Sequence, residues 1–439
     1  MARPIGIDLF AGAGGMSLGF EQAGFDIRAA VEVDPIHCAV HKFNFPECTI
    51  IPKSVQGLSG AEIRKAAGID NATVDVVFGG PPCQGFSLIG HRSLDDPRNQ
   101  LVLDFVRIVR ELDARSFVFE NVKGLTVGKQ LVFLNEIIKA FDEAGYDVLT
   151  DWQVLDAADY GVPQHRERLI LIGVKRGGKI PEYPKRLTIP ADEYDAKGTT
   201  PKGPTCKDAL GDLPDADNFN VLEIIDVVKT KFGKPSAYAS ELRCLSNDAW
   251  HYGHTRRWDT LTLTSSARTG HTEISKRRFQ ATAPGGVEPI SRFYKLRADG
   301  LSNTLRAGTD GSRGAFTSPR PIHYKHPRCI TVREMARLHG FPDWFRFHTT
   351  KWHGARQIGN AVPPPLARSV AREIIKAIGI RPRRSNREVS LGDPALLSFV
   401  MSEASEYFQV EKPSTRRDRK SGAKKRTQNE TEAARLAAL

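Results

Sequence analysis

The stretch DLFAGAGGMSLGF, residues 8–20, joins the end of an apolar strand to a glycine-rich turn and the start of a helix. With the preceding residues it predicts a strand over 5–10, "IGIDLF". A glycine-rich turn between a strand and a helix lets the backbone approach a ligand closely, and the helix N-terminus favours an anionic group. The stretch therefore predicts an α/β fold with a ligand beyond the first strand.

Further apolar runs of strand length follow and alternate with helix-like segments. They are DIRAAVEV (26–33), VDVVF (74–78), SFVFE (116–120) and LILIGV (169–174). This alternation predicts a parallel sheet flanked by helices. Ligands of such sheets bind beyond the carboxyl ends of the strands, which draws attention to the strand-end residues Phe10, Glu32, Cys83 and Glu120.

The glycine-rich turn does not match a dinucleotide fingerprint. That pattern requires glycine at positions 12, 14 and 17, but position 17 is serine. Glu32 nevertheless follows Gly14 at the distance at which an acidic residue takes a ribose hydroxyl in nucleotide-binding folds. Such a carboxylate fits any adenosine-bearing cofactor, while the failed fingerprint argues against a nicotinamide dinucleotide. A tight turn beside a surface acid remains the structural alternative.

A cysteine follows two prolines in FGGPPCQGFS, residues 78–87. The chain has six cysteines in all, and no two of them form a C-x-x-C pair, so neither a disulfide framework nor a zinc site is predicted. Cys83 alone lies just past a predicted strand end. It is either an inert buried thiol or a nucleophile.

Composition describes an ordinary globular chain with a basic bias. Its 439 residues are 40% hydrophobic, enough for about two domains. No apolar run reaches the ~18 residues of a membrane span, and the N-terminus lacks a signal-peptide pattern, so a cytoplasmic protein is expected. The net charge of +12 favours a polyanionic partner.

The positive charge is concentrated in two places. Residues 251–325 hold thirteen Lys or Arg and five Asp or Glu, a local excess of eight. Residues 412–426, KPSTRRDRKSGAKKR, hold eight basic residues and one acidic residue. The chain beyond Ile380 is predicted to be a largely disordered basic tail that binds nucleic acid nonspecifically.

Before this tail, Thr331 and Glu334 have the spacing of a capping box, which predicts the start of a helix.

Six blocks together resemble the DNA cytosine-5 methyltransferases of bacterial modification systems. They are DLFAGAGG, GGPPCQGFS, ENV (120–122), QHRERLILIG (164–173), ITVREMARLHGFPDWF (330–345) and QIGNAVPPPLA (357–367). The resemblance covers about residues 5–378. It implies a Rossmann-like S-adenosylmethionine-dependent methyltransferase sheet with a smaller inserted target-recognition domain, and double-stranded DNA as the partner.

The resemblance also implies the chemistry. Cys83 matches the thiolate that adds to carbon 6 of a flipped-out cytosine. Glu120 matches the glutamate that holds the N3 and N4 edge of the base, and Arg168 the arginine that binds O2, with Arg166 supporting the site. The cofactor contacts that carry over are Phe10, Gly12, Gly14, Glu32, Pro82 and Asn360. Gln84 and Ser87 would lie on a loop over the flipped base, and Thr304 resembles a DNA contact of the recognition domain.

One departure concerns the adenine amino group. Family members often place an acidic residue beyond the second strand to contact that group, whereas PKSVQG (52–57) offers Ser54. The contact is therefore not assigned.

By the same resemblance, residues 1–175 and 350–380 form a discontinuous catalytic domain, and residues 176–349 the recognition domain with its connecting block. A monomer associated with the nucleoid is expected. Two biological roles remain open: protection against a restriction endonuclease that acts on the same site without forming a stable complex, and a purely epigenetic mark. The alternatives are an RNA cytosine methyltransferase, a DNA-binding protein without catalysis, and a nicotinamide enzyme.

Overall fold

The computed structural model describes residues 3–82, 99–128, 130–194, 198–309 and 317–412. The strands in these ranges are β1 (Ile5–Leu9), β2 (Asp26–Val31), β3 (Thr49–Ile51), β4 (Val76–Gly79), β5 (Ser116–Val122), β6 (Tyr146–Val148), β7 (Gln153–Asp156), β8 (Glu167–Lys175), β9 (Val228–Lys229), β10 (Thr255–Arg257), β11 (Thr262–Leu263) and β12 (Glu388–Ser390). The predicted strands correspond to β1, β2, β4, β5 and β8.

Helices separate the strands of the first half and dominate the late part of the chain. They are α1 (Gly15–Ala23), α2 (Pro35–Asn44), α3 (Gly60–Ala67), α4 (Gln100–Glu111), α5 (Gln130–Glu143), α6 (Cys206–Leu210), α7 (Ala237–Leu242), α8 (Glu273–Ala281), α9 (Val332–Leu338), α10 (Lys351–Asn360), α11 (Pro364–Ala377) and α12 (Met401–Tyr407). In the described ranges no helix is both long and apolar enough to cross a bilayer.

The main sheet has the strand order β3-β2-β1-β4-β5-β8-β6, and β7 also pairs with β8. Strands β1 to β5 are parallel, as predicted, but β8 is antiparallel to β5, β6 and β7. A parallel return needs a crossover of a dozen or more residues, usually a helix. Residues 157–166, between β7 and β8, hold only a 3-10 turn, so β8 runs in the opposite direction.

The parallel strands bring their carboxyl ends to one edge of the sheet. Leu9 lies opposite both Val31 and Gly79, and Gly79 lies opposite Phe119. The residues that follow these positions, Phe10, Glu32, Gly80 and Glu120, therefore lie at this common edge. We call it the ligand edge.

Helix α11 returns to the start of the chain and packs on α1. An ideal Cβ on Gly19 would lie 2.5 Å from the Cβ of Ala367, and one on Gly15 would lie 2.6 Å from the Val362 carbonyl. Both α1 positions therefore require glycine for the close approach. This contact places the end of α10 beside the glycine-rich turn.

Hydrophobic side chains cover both faces of the sheet. On one face Phe20 stacks on Phe78 with ring centroids 3.8 Å apart, in the cluster that also contains α9, α10 and α11. On the other face Phe117 stacks on Phe141 at 3.7 Å, among side chains of α3, α4 and α5. Such pairs contribute about 0.5–1.5 kcal/mol beyond the burial of their area.

A buried ionic cluster holds α9 in place. Arg337 is fully buried and binds Asp212 at 3.0 Å and Asp343 at 2.6 Å. Thr331 and Glu334 form the predicted capping box at the start of this helix. Removing one partner of such a buried pair is costly because it leaves an uncompensated charge.

The predicted disorder beyond Ile380 is wrong for residues 388–408. Strand β12 pairs in parallel with β10, a 3-10 turn and α12 follow, and α12 packs against α2. Leu396 and Leu397 are only 3% and 1% exposed. Residues 388–408 hold eleven hydrophobic side chains within an otherwise polar tail, and several of these bury against a surface that other parts of the chain supply.

Candidate active site

Glu120 and Arg168 form an ion pair at the ligand edge. In the β5–β8 register Glu120 lies opposite Ile170, so Arg168 is its diagonal neighbour on the same sheet face. The Arg168 Nε lies 2.7 Å from the Glu120 Oε1, and both side chains are 13% exposed. The pair is largely buried yet reachable, and it presents a carboxylate and guanidinium donors to one small ligand.

The loop after β4 passes directly over Glu120. An ideal Cβ on Gly80 would lie 2.4 Å from the Glu120 Oε2, so any side chain there would displace the carboxylate. Asn121 donates its Nδ2 hydrogen to the Pro81 carbonyl over 3.1 Å. The ENV block thus supplies both the carboxylate and the side chain that fastens the Gly-Pro-Pro loop beside it.

Pro82 is exposed at the end of the described range 3–82. Cys83, Gln84 and Ser87 lie outside the described residues, and the roles given to them remain predictions. The described chain is held at Pro81, one residue before Pro82, by the hydrogen bond from Asn121.

The glycine-rich turn adopts left-handed backbone conformations. Phe10, Gly12 and Gly14 have φ angles of 63°, 53° and 100°. This region is unusual for phenylalanine and marks a strained position, which is common at ligand sites. An ideal Cβ on Gly12 would meet no atom within 4 Å, so the turn borders open space there. An ideal Cβ on Gly14 would lie 2.6 Å from the ring of Phe45, so the turn is closely packed at that position.

Glu32 ties the end of β2 to this turn. Its Oε2 accepts from the Gly12 backbone N–H at 2.8 Å, and its Oε1 accepts from the Asp34 N–H at 2.9 Å. Each carboxylate oxygen has a second lone pair and can still accept a hydroxyl. Asp34 in turn caps α2 by accepting from the Ile36 N–H. Ser54 lies farther along, partly exposed, and accepts from the Gln56 N–H.

Arg166 is buried behind the ion pair and does not face the open edge. It is 1% exposed, and its guanidinium donates to the carbonyls of Leu305 at 3.0 Å and Gly359 at 2.7 Å. Burial, reinforced by the neighbouring Arg168, lowers the pKa of Arg166 well below its ordinary value. Arg166 therefore fastens two backbone segments to the start of β8.

Gln164 extends this connection and was not among the predicted site residues. Its Oε1 accepts from the Leu305 N–H, and its Nε2 donates to the Leu338 carbonyl and to His339 Nδ1. His339 Nε2 donates to the Ala361 carbonyl, so Nδ1 is the acceptor. Burial lowers the pKa of His339 well below its ordinary value and keeps it neutral.

Thr304 and Asn360 lie on the segments that Arg166 holds. Thr304 is exposed and donates its hydroxyl to the His165 carbonyl over 2.8 Å. Asn360 is exposed at the end of α10, directly after Gly359. Its neighbour Ala361 contacts the first residue of α1, which places Asn360 near the glycine-rich turn.

Asp8 and Ser17 form a buried pair that the sequence analysis missed. The Ser17 hydroxyl donates to the Asp8 carboxyl over 2.6 Å, and burial raises the pKa of Asp8 to about 8. Ser17 occupies the position at which the dinucleotide fingerprint would have glycine. A lone acid inside an apolar strand, with a hydroxyl in place of that glycine, was the available signal.

Comparison with known proteins identifies the family. The family model of C-5 cytosine-specific DNA methylases matches residues 6–376. The chain is also 58% identical over 410 residues to the Type II methyltransferase M.XorII of Xanthomonas oryzae pv. oryzae, which covers 93% of each chain. The chain belongs to the C-5 cytosine-specific DNA methylases. As a DNA cytosine-5 methyltransferase it uses S-adenosylmethionine as its cofactor.

Two further relatives of this cytosine-5 methyltransferase agree with that result. The Type II methyltransferase M1.HphI of Haemophilus parahaemolyticus is 34% identical over 377 residues, covering 84% of this chain and 86% of its own. A crystal structure of an Escherichia coli prophage protein described as a DNA modification methyltransferase is 34% identical, with a TM-score of 0.67 over 86% of this chain and all of its own. Dnmt2 of S. pombe, 15% identical with a TM-score of 0.55, shares the fold.

The ligand edge fits S-adenosylmethionine. The left-handed turn opens onto free space at Gly12, and the Glu32 carboxylate retains acceptor capacity for a ribose hydroxyl. The exposed ring of Pro82 follows a loop held beside Glu120. A cofactor bound here would bring a methyl group to the edge at which Glu120 and Arg168 lie.

Proposed function

We propose that this methyltransferase modifies carbon 5 of a cytosine within a specific duplex sequence after flipping that base into the ligand edge. The observation that carries the proposal is the ion pair of Glu120 with Arg168, 2.7 Å apart beneath the loop that leads to Cys83. A base inside a duplex cannot reach such a recessed pair unless it leaves the stack.

The residues divide the chemistry between them. Carbon 5 of cytosine is a weak nucleophile, and a Cys83 thiolate that forms a bond to carbon 6 makes carbon 5 enamine-like. Glu120 binds the N3 and N4 edge and supports protonation at N3, while Arg168 donates to O2. When the methyl group has been transferred, the proton leaves carbon 5 and the sulfur–carbon bond breaks. S-Adenosylmethionine, when bound, supplies the electrophilic methyl group.

The thiol needs activation for this step. An ordinary cysteine has a pKa of about 8.5, so only a small fraction is thiolate at neutral pH. Positive charge near the loop, or proton transfer coupled to the base, increases the reactive fraction.

The biological role that we propose is protection of host DNA. Relatives that cover most of this chain are named Type II methyltransferases. Methylation of the recognition sequence would block a cognate restriction endonuclease that acts on the same site without forming a stable complex. We propose that the enzyme acts as a monomer on nucleoid DNA in the cytoplasm; without an endonuclease the methyl group would serve as an epigenetic mark.

A trapping experiment tests the proposed reaction. Duplex DNA with 5-fluorocytosine at the target accepts the methyl group but cannot lose its carbon 5 substituent as a proton, so the bond to Cys83 should persist. We expect a complex that survives denaturing gels, depends on S-adenosylmethionine and disappears in Cys83→Ser. The target cytosine must be identified before this experiment, by sequencing the positions of 5-methylcytosine in DNA from cells that express the protein.

Two results would overturn this proposal. Undiminished methylation of cytosine by Cys83→Ala would exclude the covalent route. Transfer of labelled methyl groups to RNA, with none to duplex DNA, would assign a different substrate.

A further inference from the structure

Most of the positive charge in residues 251–325 is used within the protein. The side chains of this segment that bind carboxylates or carbonyls of the chain are Arg256, Arg257, Arg268, Lys276, Arg278, Lys295, Arg297 and Arg320. Among the described residues of the segment, Arg277, Arg292, Arg306 and Lys325 make no side-chain hydrogen bond or ion pair. Of the thirteen basic residues in the segment, these four are the described ones whose charge is available to a polyanion.

Arg306 differs from the other three because its loop is fixed at the active site. Leu305 is buried and held by hydrogen bonds on both sides, as described above. The next residue, Ala307, touches α10 so closely that an ideal Cβ on Gly359 would lie 2.3 Å from its nitrogen. The Thr309 carbonyl accepts from Trp352 Nε1 at 3.2 Å. The loop thus lies along the helix that ends at Asn360.

The direction of the Arg306 side chain follows from the burial pattern of the loop. Thr304, Leu305 and Arg306 are exposed, buried and exposed in turn. Leu305 occupies the buried side of the loop, and the exposed side chains before and after it face away from the protein interior. Arg306 therefore shares the open side of Thr304, which is bonded to the His165 carbonyl three residues before Arg168.

We propose that Arg306 binds a phosphate of the DNA backbone beside the flipped cytosine. The inference rests on the proposed function, because it takes the duplex to approach the ligand edge. A guanidinium matches a phosphate with parallel, charge-assisted hydrogen bonds. Backbone contacts of this kind position a protein on the duplex without reading its sequence.

The fixed loop makes this contact more favourable than a contact from a mobile surface arginine. Binding costs conformational entropy for every group that it immobilises, and this cost is smaller when the backbone is already held in place. Here the buried hydrogen bonds to Leu305 and the close contact of Ala307 with Gly359 hold the loop before DNA arrives. Only the Arg306 side chain remains to be ordered.

The test compares Arg306→Gln, Arg306→Lys and a matched control, Arg383→Gln, on the target duplex. Arg383 is also exposed and unpaired within the described chain, but its neighbour Pro382 packs on Gly24 at the far end of α1 from the glycine-rich turn. We expect Arg306→Gln to weaken duplex binding by roughly tenfold. The slope of log K against log salt should fall by about 0.9, the value for one phosphate contact on duplex DNA.

Arg306→Lys should keep the salt slope, and Arg383→Gln should match the wild type in both measurements. Binding of S-adenosylmethionine alone should be equal in all variants, which reports an intact fold. A wild-type salt slope in Arg306→Gln overturns the inference, and so does a loss confined to one base pair of the site, which indicates base readout. Failure of the proposed function has a separate signature, since the wild type would then not methylate duplex DNA.

Discussion

The Nε of Arg168 lies 2.7 Å from Glu120 Oε1, across two antiparallel strands that meet at the ligand edge. Each side chain fixes the other, because two mostly buried opposite charges gain by staying in contact. The free Oε2 of Glu120 faces the Gly80 backbone. The carboxylate is thus oriented on both sides before any base arrives, which reduces the reorganisation that the reaction requires.

The first prediction concerns the carboxylate. Glu120→Gln keeps the shape of the side chain but removes its charge and its capacity to support protonation at N3. Methyl transfer should slow by about 10²- to 10⁴-fold, the usual contribution of general acid–base catalysis. Single-turnover rates with labelled S-adenosylmethionine provide the measurement.

Glu167→Gln is the matched control for this substitution. Glu167 lies next to Arg168 on β8, is 47% exposed and pairs with Lys123 at the surface. Exposed pairs contribute at most about 1 kcal/mol, so this variant should retain the wild-type rate. Equal rates in Glu120→Gln and the wild type would remove Glu120 from the mechanism.

The second prediction concerns the glycine that lies over Glu120. In Gly80→Ala the new methyl group would lie 2.4 Å from Glu120 Oε2, so the carboxylate or the loop must move. We expect a large loss of kcat with little change in the thermal unfolding temperature, because the displaced groups lie at an edge rather than in the core. Gly124→Ala, whose new Cβ would come no closer than 3.5 Å to another atom, should be neutral. An active Gly80→Ala enzyme would show that the loop tolerates displacement.

Local patterns in the sequence predicted that Phe10, Glu32 and Glu120 share one edge of the sheet, while Cys83 lies outside the described residues. Phe10, Glu32 and Glu120 each follow or end an apolar run, and the parallel register brings them to one edge. The glycine-rich turn could be recognised because such a turn between a strand and a helix lets the backbone approach a ligand closely. These features depend on residues close together in the chain or on the regular geometry of a parallel sheet.

Contacts between distant segments could not be predicted in the same way. The bond of Gln164 to His339 joins residues 175 positions apart, and no periodicity encodes it. The reversed direction of β8 follows from the short connection after β7, a short strand that the sequence analysis did not predict. The folding of residues 388–408 depends on packing against α2, a segment far away in the chain, and the apolar residues of this stretch do not show which surface covers them.

The third prediction concerns the chain beyond Ile380, which the sequence predicted to be largely disordered. A chain that ends after Ile380 lacks β12 and α12 and exposes the surface that Leu396 and Leu397 cover. The Phe399 carbonyl also accepts from His348 Nε2. We expect a clear fall in the urea midpoint, since burying each leucine contributes about 1.5–3 kcal/mol.

A chain that ends after Lys412 is the control, because it keeps every described residue of this segment. It should unfold at the wild-type midpoint, and a loss of DNA affinity in this variant alone would assign the basic tail to nonspecific binding. If both truncated chains unfold like the full chain, residues 388–408 do not contribute to stability.

The fourth prediction concerns pH and the buried Asp8. Burial raises its pKa to about 8, while an aspartate in the unfolded chain titrates near 3.9. Between about pH 4 and pH 8 the folded state therefore binds a proton that the unfolded state has lost. The free energy of unfolding should fall as the pH rises through this window and change no further through Asp8 above it. Asp8→Asn should remove this part of the pH dependence, whereas Asp70→Asn, at an exposed position, should not.

Urea unfolding of the three proteins at pH 5, 6, 7 and 8 measures this effect. Other titrating groups, such as the buried His41 with its pKa lowered to about 4, contribute to all three proteins alike. The difference in the free energy of unfolding between Asp8→Asn and the wild type therefore reports on Asp8 alone. This difference should shift in favour of the variant as the pH rises. A difference that stays constant from pH 5 to pH 8 would mean that Asp8 is ionised throughout. The Ser17 hydroxyl would then stabilise a charged carboxylate at the start of the glycine-rich turn.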